Sequence, residues 1–378
     1  MLNKKLSEPT KDDMKAIISL TEKKSLHLKL DGKDYSVEMK ENKFSLFRDF
    51  DLAEKFDGLL DELRPVNYET LSDASILQTV ALVLKKECKR KIILKLEKNK
   101  FIDTWNKAMD AVKSAVEYFR SYYRIPVSQL LPYNALIVPF AYFFYVHPDK
   151  PTGEKQKYLE DFFWRCALST RYSSSVEAKL AQDVKRIDEI LENRLPSYDW
   201  GIDTSPTFIN QNGWFSVGRS YVKAILCIYA YHLPKSFIDD SLVNISNYWL
   251  KQANSKNYHH FFPKAYLRTI GVSEDDANHI LNITIVDDFL NKRKIGAKPP
   301  ALYMDDFRKK NPKLNETMKT HLIIDLEKFG IWENDYPKFL QERAIEVSKE
   351  LDKRLIKQDI DRQPQPLSSD DYEETEMA

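Results

Sequence analysis

Glycine is scarce in this sequence, with 9 among 378 residues. Phosphate-cradling loops and tight hairpins both rely on it, so a Rossmann sheet or a β-sandwich is disfavoured and helices are favoured. Cysteine is rarer still. Cys88, Cys166 and Cys227 are odd in number and far apart, which argues against a disulfide framework or a Cys-x-x-Cys metal knuckle and fits a reducing, cytoplasmic setting. Cys166 and Cys227 stand amid apolar neighbours, as small core residues do. Net charge is missing too: 58 Lys and Arg balance 57 Asp and Glu, so any nucleic-acid site must be a local patch. Met1 to Thr21 is polar and charged, unlike a secretory signal. The longest apolar stretch, Ala135 to Val146, would span about 18 Å as a helix, against about 30 Å of bilayer core. It reads as a buried core helix, not a membrane span. With 43% hydrophobic and 30% charged residues, the chain has the composition of a soluble globular protein.

The pattern along the chain divides it. Residues 1–45 are mixed and polar, with one hairpin candidate from Ser25 to Met39 that alternates around Asp31-Gly32. From about Ser45 the period becomes helical, and 46–250 reads as a helical domain. Trp105, Met109, Val112, Val116, Phe119 and Tyr123 share one stripe, closed by Pro126. A capping box, Ser174-x-x-Glu177, opens a second clear helix with Leu180, Val184, Ile187 and Leu191 on its apolar face. Further helical patterns cover about 51–64, 73–86, 155–168, 218–232 and 335–357. The run Lys85–Lys100 carries eight Lys/Arg against two Glu and reads as a solvated helix face sooner than a nucleic-acid surface. Residues 306–360 form a closing helical segment, and 361–378, with five acidic residues in its last part, is expected to be disordered.

Chemistry concentrates between residues 251 and 305. Three of the seven histidines, His259, His260 and His279, fall within 21 residues there. Tyr258–Phe262 and Ile280–Val286 are β-branched or aromatic runs that read as short strands. Asp287 is a natural N-cap for a following helix, which Gly296 and Pro299-Pro300 end. Adjacent strand residues point to opposite faces, so His259 and His260 cannot both face one side of a flat ribbon. Asn291 lies about one turn into the predicted helix. Lys292, Arg293, Lys294 and Lys298 place four positive charges within seven residues of it, suited to a backbone polyanion.

These residues resemble the His-Asn-His family of metal-dependent nucleases. The resemblance rests on His259-His260-x-Phe-Pro and on Ile280-Leu281-Asn282-Ile283-x-x-Val286-x4-Asn291-Lys292-x3-Gly296-x2-Pro299-Pro300-x2-Tyr303. It is closest to the version at the carboxyl end of proteins related to GmrSD-type modification-dependent restriction enzymes. Upstream, Pro132-Tyr133-Asn134, Phe163-Trp164-Arg165 and Arg171-Tyr172-Ser173 with Lys179 and Asp183 look like the helical region preceding that nuclease, so the similarity covers about 45–350. The implied fold is mainly α with a small α+β unit: a helical domain followed by a ββα-metal nuclease. His259 is implied as first metal ligand, His260 as general base, Asn282 as the asparagine tying the ribbon's loop, and Asn291 as the ligand from the helix. An asparagine at that last position favours Mg2+ or Mn2+ over zinc, since it is an oxygen ligand. The implied activity is DNA phosphodiester hydrolysis in restriction-type defence against foreign or modified DNA. The alternative is an inactive subunit that binds DNA or a partner.

The family's amino-terminal sensor carries an Asp-Gly-Gln-Gln-Arg signature. Here Asp31-Gly32 is followed by Lys33-Asp34-Tyr35, so that signature is absent and nucleotide hydrolysis is not implied. The chain is expected to be the carboxyl portion of such a protein, with a separate sensor subunit as a candidate partner. A second motif is a decoy. Gly213-Trp-Phe-Ser-Val-Gly218-Arg219-Ser220 nearly matches a phosphate loop, but Arg219 stands where a compact lysine is needed. It reads as a loop entering a helix. His27, His147, His232, His279 and His321 read as packing or surface groups.

Overall fold

The structure, a computed structural model, describes residues 25–30, 33–40, 43–247, 258–286 and 295–367. Two compact units divide the chain, Met1–Leu59 and Leu60–Ala378. The first holds a three-stranded antiparallel sheet of order β1-β2-β3: β1 Ser25–Leu30, β2 Lys33–Lys40 and β3 Lys43–Arg48. The expected hairpin is there, with Leu30 opposite Lys33. The helical period expected from Ser45 is corrected, because β3 continues to Arg48 and α1 (Leu52–Leu63) starts only after it.

The second unit is mainly helical. In order come α2 Asp73–Lys85, α3 Arg90–Ile93, α4 Lys98–Ser121, α5 Ile137–Val146, α6 Gly153–Ala167, α7 Val176–Leu191, α8 Pro206–Gln211 and α9 Ser220–Tyr231. The stripe read from the sequence is the buried face of α4: Trp105, Met109, Val112, Val116 and Phe119 are all enclosed. α5 is apolar all round, and a helix of that kind has nowhere to go but inside. Ile137 to Phe144 are buried without exception, with Phe140 4.7 Å from Phe119. Pro139 is tolerated because it lies in the first turn, where its missing N–H has no intrahelical partner to lose. The three cysteines are buried free thiols, as read.

The helix from 176 exists, but not by the expected cap. Ser175 is its N-cap, in the left-handed region at φ +54, and makes no side-chain cap bond. Glu177 instead accepts from the backbone N–H of Arg90 at 3.0 Å.

Buried charge ties this helical region together. Arg165 is fully buried and donates to Asp161 at 3.1 Å, to both oxygens of Asp361 at 2.8 Å and to the Ile356 carbonyl at 2.7 Å. Arg171 donates to Asp183, which also accepts from Tyr172 and Arg186. Arg165, Arg171, Tyr172 and Asp183, which carried the upstream resemblance, thus belong to two interior clusters, one of Arg165 with Asp161 and Asp361 and one of Arg171, Arg186 and the Tyr172 hydroxyl on Asp183.

The remaining elements are β4 Tyr258–His260, α10 Lys264–Thr269, α11 Glu274–Ala277, β5 Ile283–Ile285, α12 Pro300–Arg308, α13 Leu314–Lys319 and α14 Tyr336–Asp352. β4 and β5 pair antiparallel, with His259 opposite Thr284 and His260 opposite Ile283. Both strands are shorter than expected, and α10 and α11 occupy the connection. Ile280–Asn282 is a 3-10 turn, held from below by α14. An aromatic core underlies the ribbon, with Phe261 stacked on Phe339 at 4.9 Å and Phe262 against Tyr336 at 5.2 Å. The segment after α14 departs from the disorder expected beyond residue 360: Asp361 is held by Arg165, and Pro364 bridges to Gly201. Residues 368–378 lie outside the described residues. Among those described, no helix is long and apolar enough to cross a membrane.

Candidate active site

Strand alternation separates the two adjacent histidines as anticipated. His259 is 2% exposed, while His260 is partly exposed. The His259 ring is framed by Phe237, Phe261 and Tyr303, with centroids 6.1 to 6.5 Å away. Its Nδ1 is 3.0 Å from Thr284 Oγ1, and that hydroxyl donates its own proton to the His259 carbonyl at 3.3 Å. With its hydrogen spent, the hydroxyl can only accept from the ring, so Nδ1 carries the proton and Nε2 the lone pair. Nε2 is buried and has no hydrogen-bond partner among the described residues. Burial, with lesser contributions from His260 and His321, pushes the ring's pKa down to about 3. The ring is therefore neutral near pH 7, which is the form that ligates metals.

His260 places Nε2 3.0 Å from Asn278 Oδ1. Burial lowers its pKa to about 4; the Asn278 bond opposes the shift and the Lys264 charge adds to it. This imidazole too is neutral near pH 7 and able to accept a proton.

Asn282 is fully buried and closes the turn after β4. Its Oδ1 accepts from Phe262 N at 2.8 Å, and its Nδ2 donates to the carbonyls of Phe262 and Ala277, both at 3.0 Å. Every hydrogen bond of this amide thus goes to backbone, and the loop bearing Phe261 and Phe262 is clasped to the 3-10 turn. Arg343 of α14 secures the same turn from the other side. Its guanidinium, fully buried, donates to the carbonyls of Leu281 at 2.7 Å, Ile283 at 2.6 Å and His321 at 3.0 Å, and lies 4.4 Å over the Tyr229 ring. Tyr303 donates its hydroxyl to the Phe261 carbonyl.

The other candidates divide. Asn291, Lys292, Arg293 and Lys294, with the N-cap expected at Asp287, lie outside the described residues. Lys298 is exposed and 3.4 Å from Asp306, an exposed pair of the sort that contributes little and leaves the ammonium available to another anion. Gly296 takes φ +57, a left-handed conformation that suits the helix stop read there. Among the described residues no three His, Cys, Asp or Glu side chains gather as a metal cluster. A cation held by one imidazole, one carboxamide and water requires no such cluster. The orphaned lone pair of His259 is the one feature of the described site that fits a metal.

His279 and His321 are packing groups. His279 donates from Nε2 to the Asn210 carbonyl at 2.9 Å and accepts from Leu281 N at Nδ1. His321 donates to the Lys235 carbonyl at 2.7 Å. The phosphate-loop decoy is structural as well: Arg219 donates to the carbonyls of Asn212 and Trp214 at 3.1 and 2.8 Å. Sequence reasoning missed Thr284, Asn278 and Arg343. Thr284 could have been found by drawing the ribbon's register, which sets it opposite His259. Nothing local marks the other two.

No family model matches this sequence. It is similar to an uncharacterized protein of Methanocaldococcus jannaschii, with 26% identity over 298 residues, covering 75% of this chain and 47% of that protein. The chain therefore spans about half the length of the curated relative it matches.

Proposed function

We propose that the chain is a metal-dependent endonuclease of the ββα-metal, His-Asn-His kind that hydrolyses DNA phosphodiester bonds, acting in restriction-type defence against foreign or modified DNA. The observation that carries the reading is the buried, unpartnered Nε2 of His259, which bears the lone pair in the tautomer set by the bond from Thr284 to the His259 carbonyl, one residue from a second neutral imidazole. A lone pair sealed in a protein interior without a partner is costly, and a bound cation would remove that cost. His259 and Asn291 would hold Mg2+ or Mn2+. Such an ion, when bound there, would supply Lewis-acid polarisation of the scissile phosphate and charge stabilisation for the departing oxygen. His260 takes the proton of the attacking water. Asn282, through its three backbone bonds, keeps the turn beside the histidine pair rigid. Lys292, Arg293, Lys294 and Lys298 hold the flanking phosphates, binding that weakens as salt rises.

Supercoiled plasmid incubated with the chain tests this. Nicking is expected with Mg2+ or Mn2+ and is expected to vanish with EDTA. Binding without cutting under every metal condition would favour a non-catalytic, DNA-binding subunit. Neither binding nor cutting would reject both.

A further inference from the structure

The site's hydrogen bonds reach beyond the ribbon. Asn278 Nδ2 is 3.0 Å from the Phe215 carbonyl. A carbonyl can only accept, so the amide nitrogen belongs on that side and Oδ1 on the side of His260. Oδ1 in turn can only accept, which obliges His260 Nε2 to carry the hydrogen and leaves the lone pair on Nδ1. We infer that Asn278 is a positioning residue for His260, selecting which ring nitrogen receives a proton, and that the Gly213–Phe215 strap of the helical region holds Asn278 in that role. The catalytic meaning of this inference rests on the hydrolase reading above.

The strap is built for the task. It runs antiparallel beside residues 278–280: Phe215 N donates to the Asn278 carbonyl at 2.9 Å, Ile280 N donates to the Gly213 carbonyl at 2.7 Å, and Trp214 bridges His279. Gly213 makes the approach feasible, because a Cβ there would lie 2.0 Å from His279 Cε1. Arg219 pins the strap's own carbonyls from the start of α9. The near phosphate-loop sequence thus encodes a strap that pairs with residues 278–280, the segment leading into the 3-10 turn before β5. Through Phe215 and Asn278, the helical region reaches the imidazole two bonds away.

Long-range 1H–15N correlation spectra of the full chain, labelled at histidine and recorded without metal or DNA, report the tautomer directly. His260 signals are assigned by their loss in His260→Gln. The parent is expected to show His260 protonated at Nε2. Asn278→Ala should give mixed tautomers and lower kcat for plasmid nicking about 10- to 100-fold, as loss of an orienting partner does, with KM unchanged. Asn278→Asp keeps an acceptor toward Nε2 and should restore the single tautomer. Gly213→Ala, which displaces the strap, should mix the tautomers with Asn278 intact, its folding verified by circular dichroism. A parent protonated at Nδ1, or an Asn278→Ala protein with unchanged tautomer and kcat, overturns the inference. A parent with the expected tautomer that cuts no DNA overturns the hydrolase reading and the catalytic meaning of Asn278, but leaves the hydrogen-bond assignment standing.

Discussion

Replacing His260 by alanine is expected to lower Mg2+-dependent nicking by about 10²- to 10⁴-fold, the usual worth of a positioned general base, while the melting temperature stays close to that of the parent. The two halves of this expectation have separate causes. His260 is partly exposed and its recorded side-chain bond, to Asn278, links it to the edge of the ribbon and not to the core. Its loss removes some buried surface at the ribbon's edge but no hydrogen bond to the core, and the Asn278 Oδ1 freed by the change belongs to a partly exposed residue. DNA binding, which is proposed to rest on the basic residues after Asn291, should survive. Single-turnover cleavage and gel-shift titration of the same preparation separate the effects. A variant that cuts as fast as the parent removes His260 from the proposed mechanism. One that also unfolds or loses DNA binding says that the residue is structural.

The largest loss of stability is expected at Arg165, far from the ribbon. Arg165→Met keeps most of the side-chain volume and removes the charge. Asp161, fully buried, and Asp361, mostly buried, would then face each other's charge with no cation between them. Breaking one side of a buried ion pair typically costs about 3–5 kcal/mol. Burial already raises the Asp161 pKa even with Arg165 beside it. Burial opposes ionisation of Asp361 too, but the bonds from Arg165 and from the backbone N–H groups of Gln358 and Ile202 outweigh it and hold that carboxyl low. Removing Arg165 should therefore destabilise the chain under neutral conditions and relax as the pH falls and the two carboxyls protonate. The ties from Asp361 to Ile202 and from Ile356 to Asp161 should loosen as well, so hydrogen exchange should accelerate across 356–364 before it does elsewhere. Denaturant unfolding within 1 kcal/mol of the parent would contradict this account of the network.

What the sequence disclosed follows a physical divide. Periodicity located α2, α4, α6, α7, α9 and α14 because each buries one face, or all faces, against neighbours, and the spacing of apolar residues records that directly. Ends were less legible. α14 stops at Asp352, five residues before the pattern suggested, and the cap at Ser174 was pre-empted because the chain turns through Ser175 in a left-handed conformation. β3 was missed because six residues of Lys-Phe-Ser-Leu-Phe-Arg carry too little alternation to distinguish from the start of a helix. In the site, His259 and His260 stood out as an adjacent pair just before Phe-Pro, and Asn282 was singled out by the resemblance to the His-Asn-His pattern. Asn278 could not. Its significance comes from Phe215, 63 residues earlier, and no local pattern records a partner that only tertiary folding supplies. Arg165 and Asp361 are 196 residues apart, and Arg343 needed the α14 packing before its three carbonyl acceptors came within reach.

The central claim is that His259 Nε2 and Asn291 converge on one divalent cation, and Mn2+ bound to the full chain tests it most directly. Pulsed electron paramagnetic resonance should detect one bound Mn2+ with 14N coupling from a single imidazole, lost in His259→Ala, and the affinity should fall at least 10-fold in Asn291→Ala. Mn2+ that binds equally to parent and His259→Ala, or that shows no nitrogen coupling, would contradict the claim.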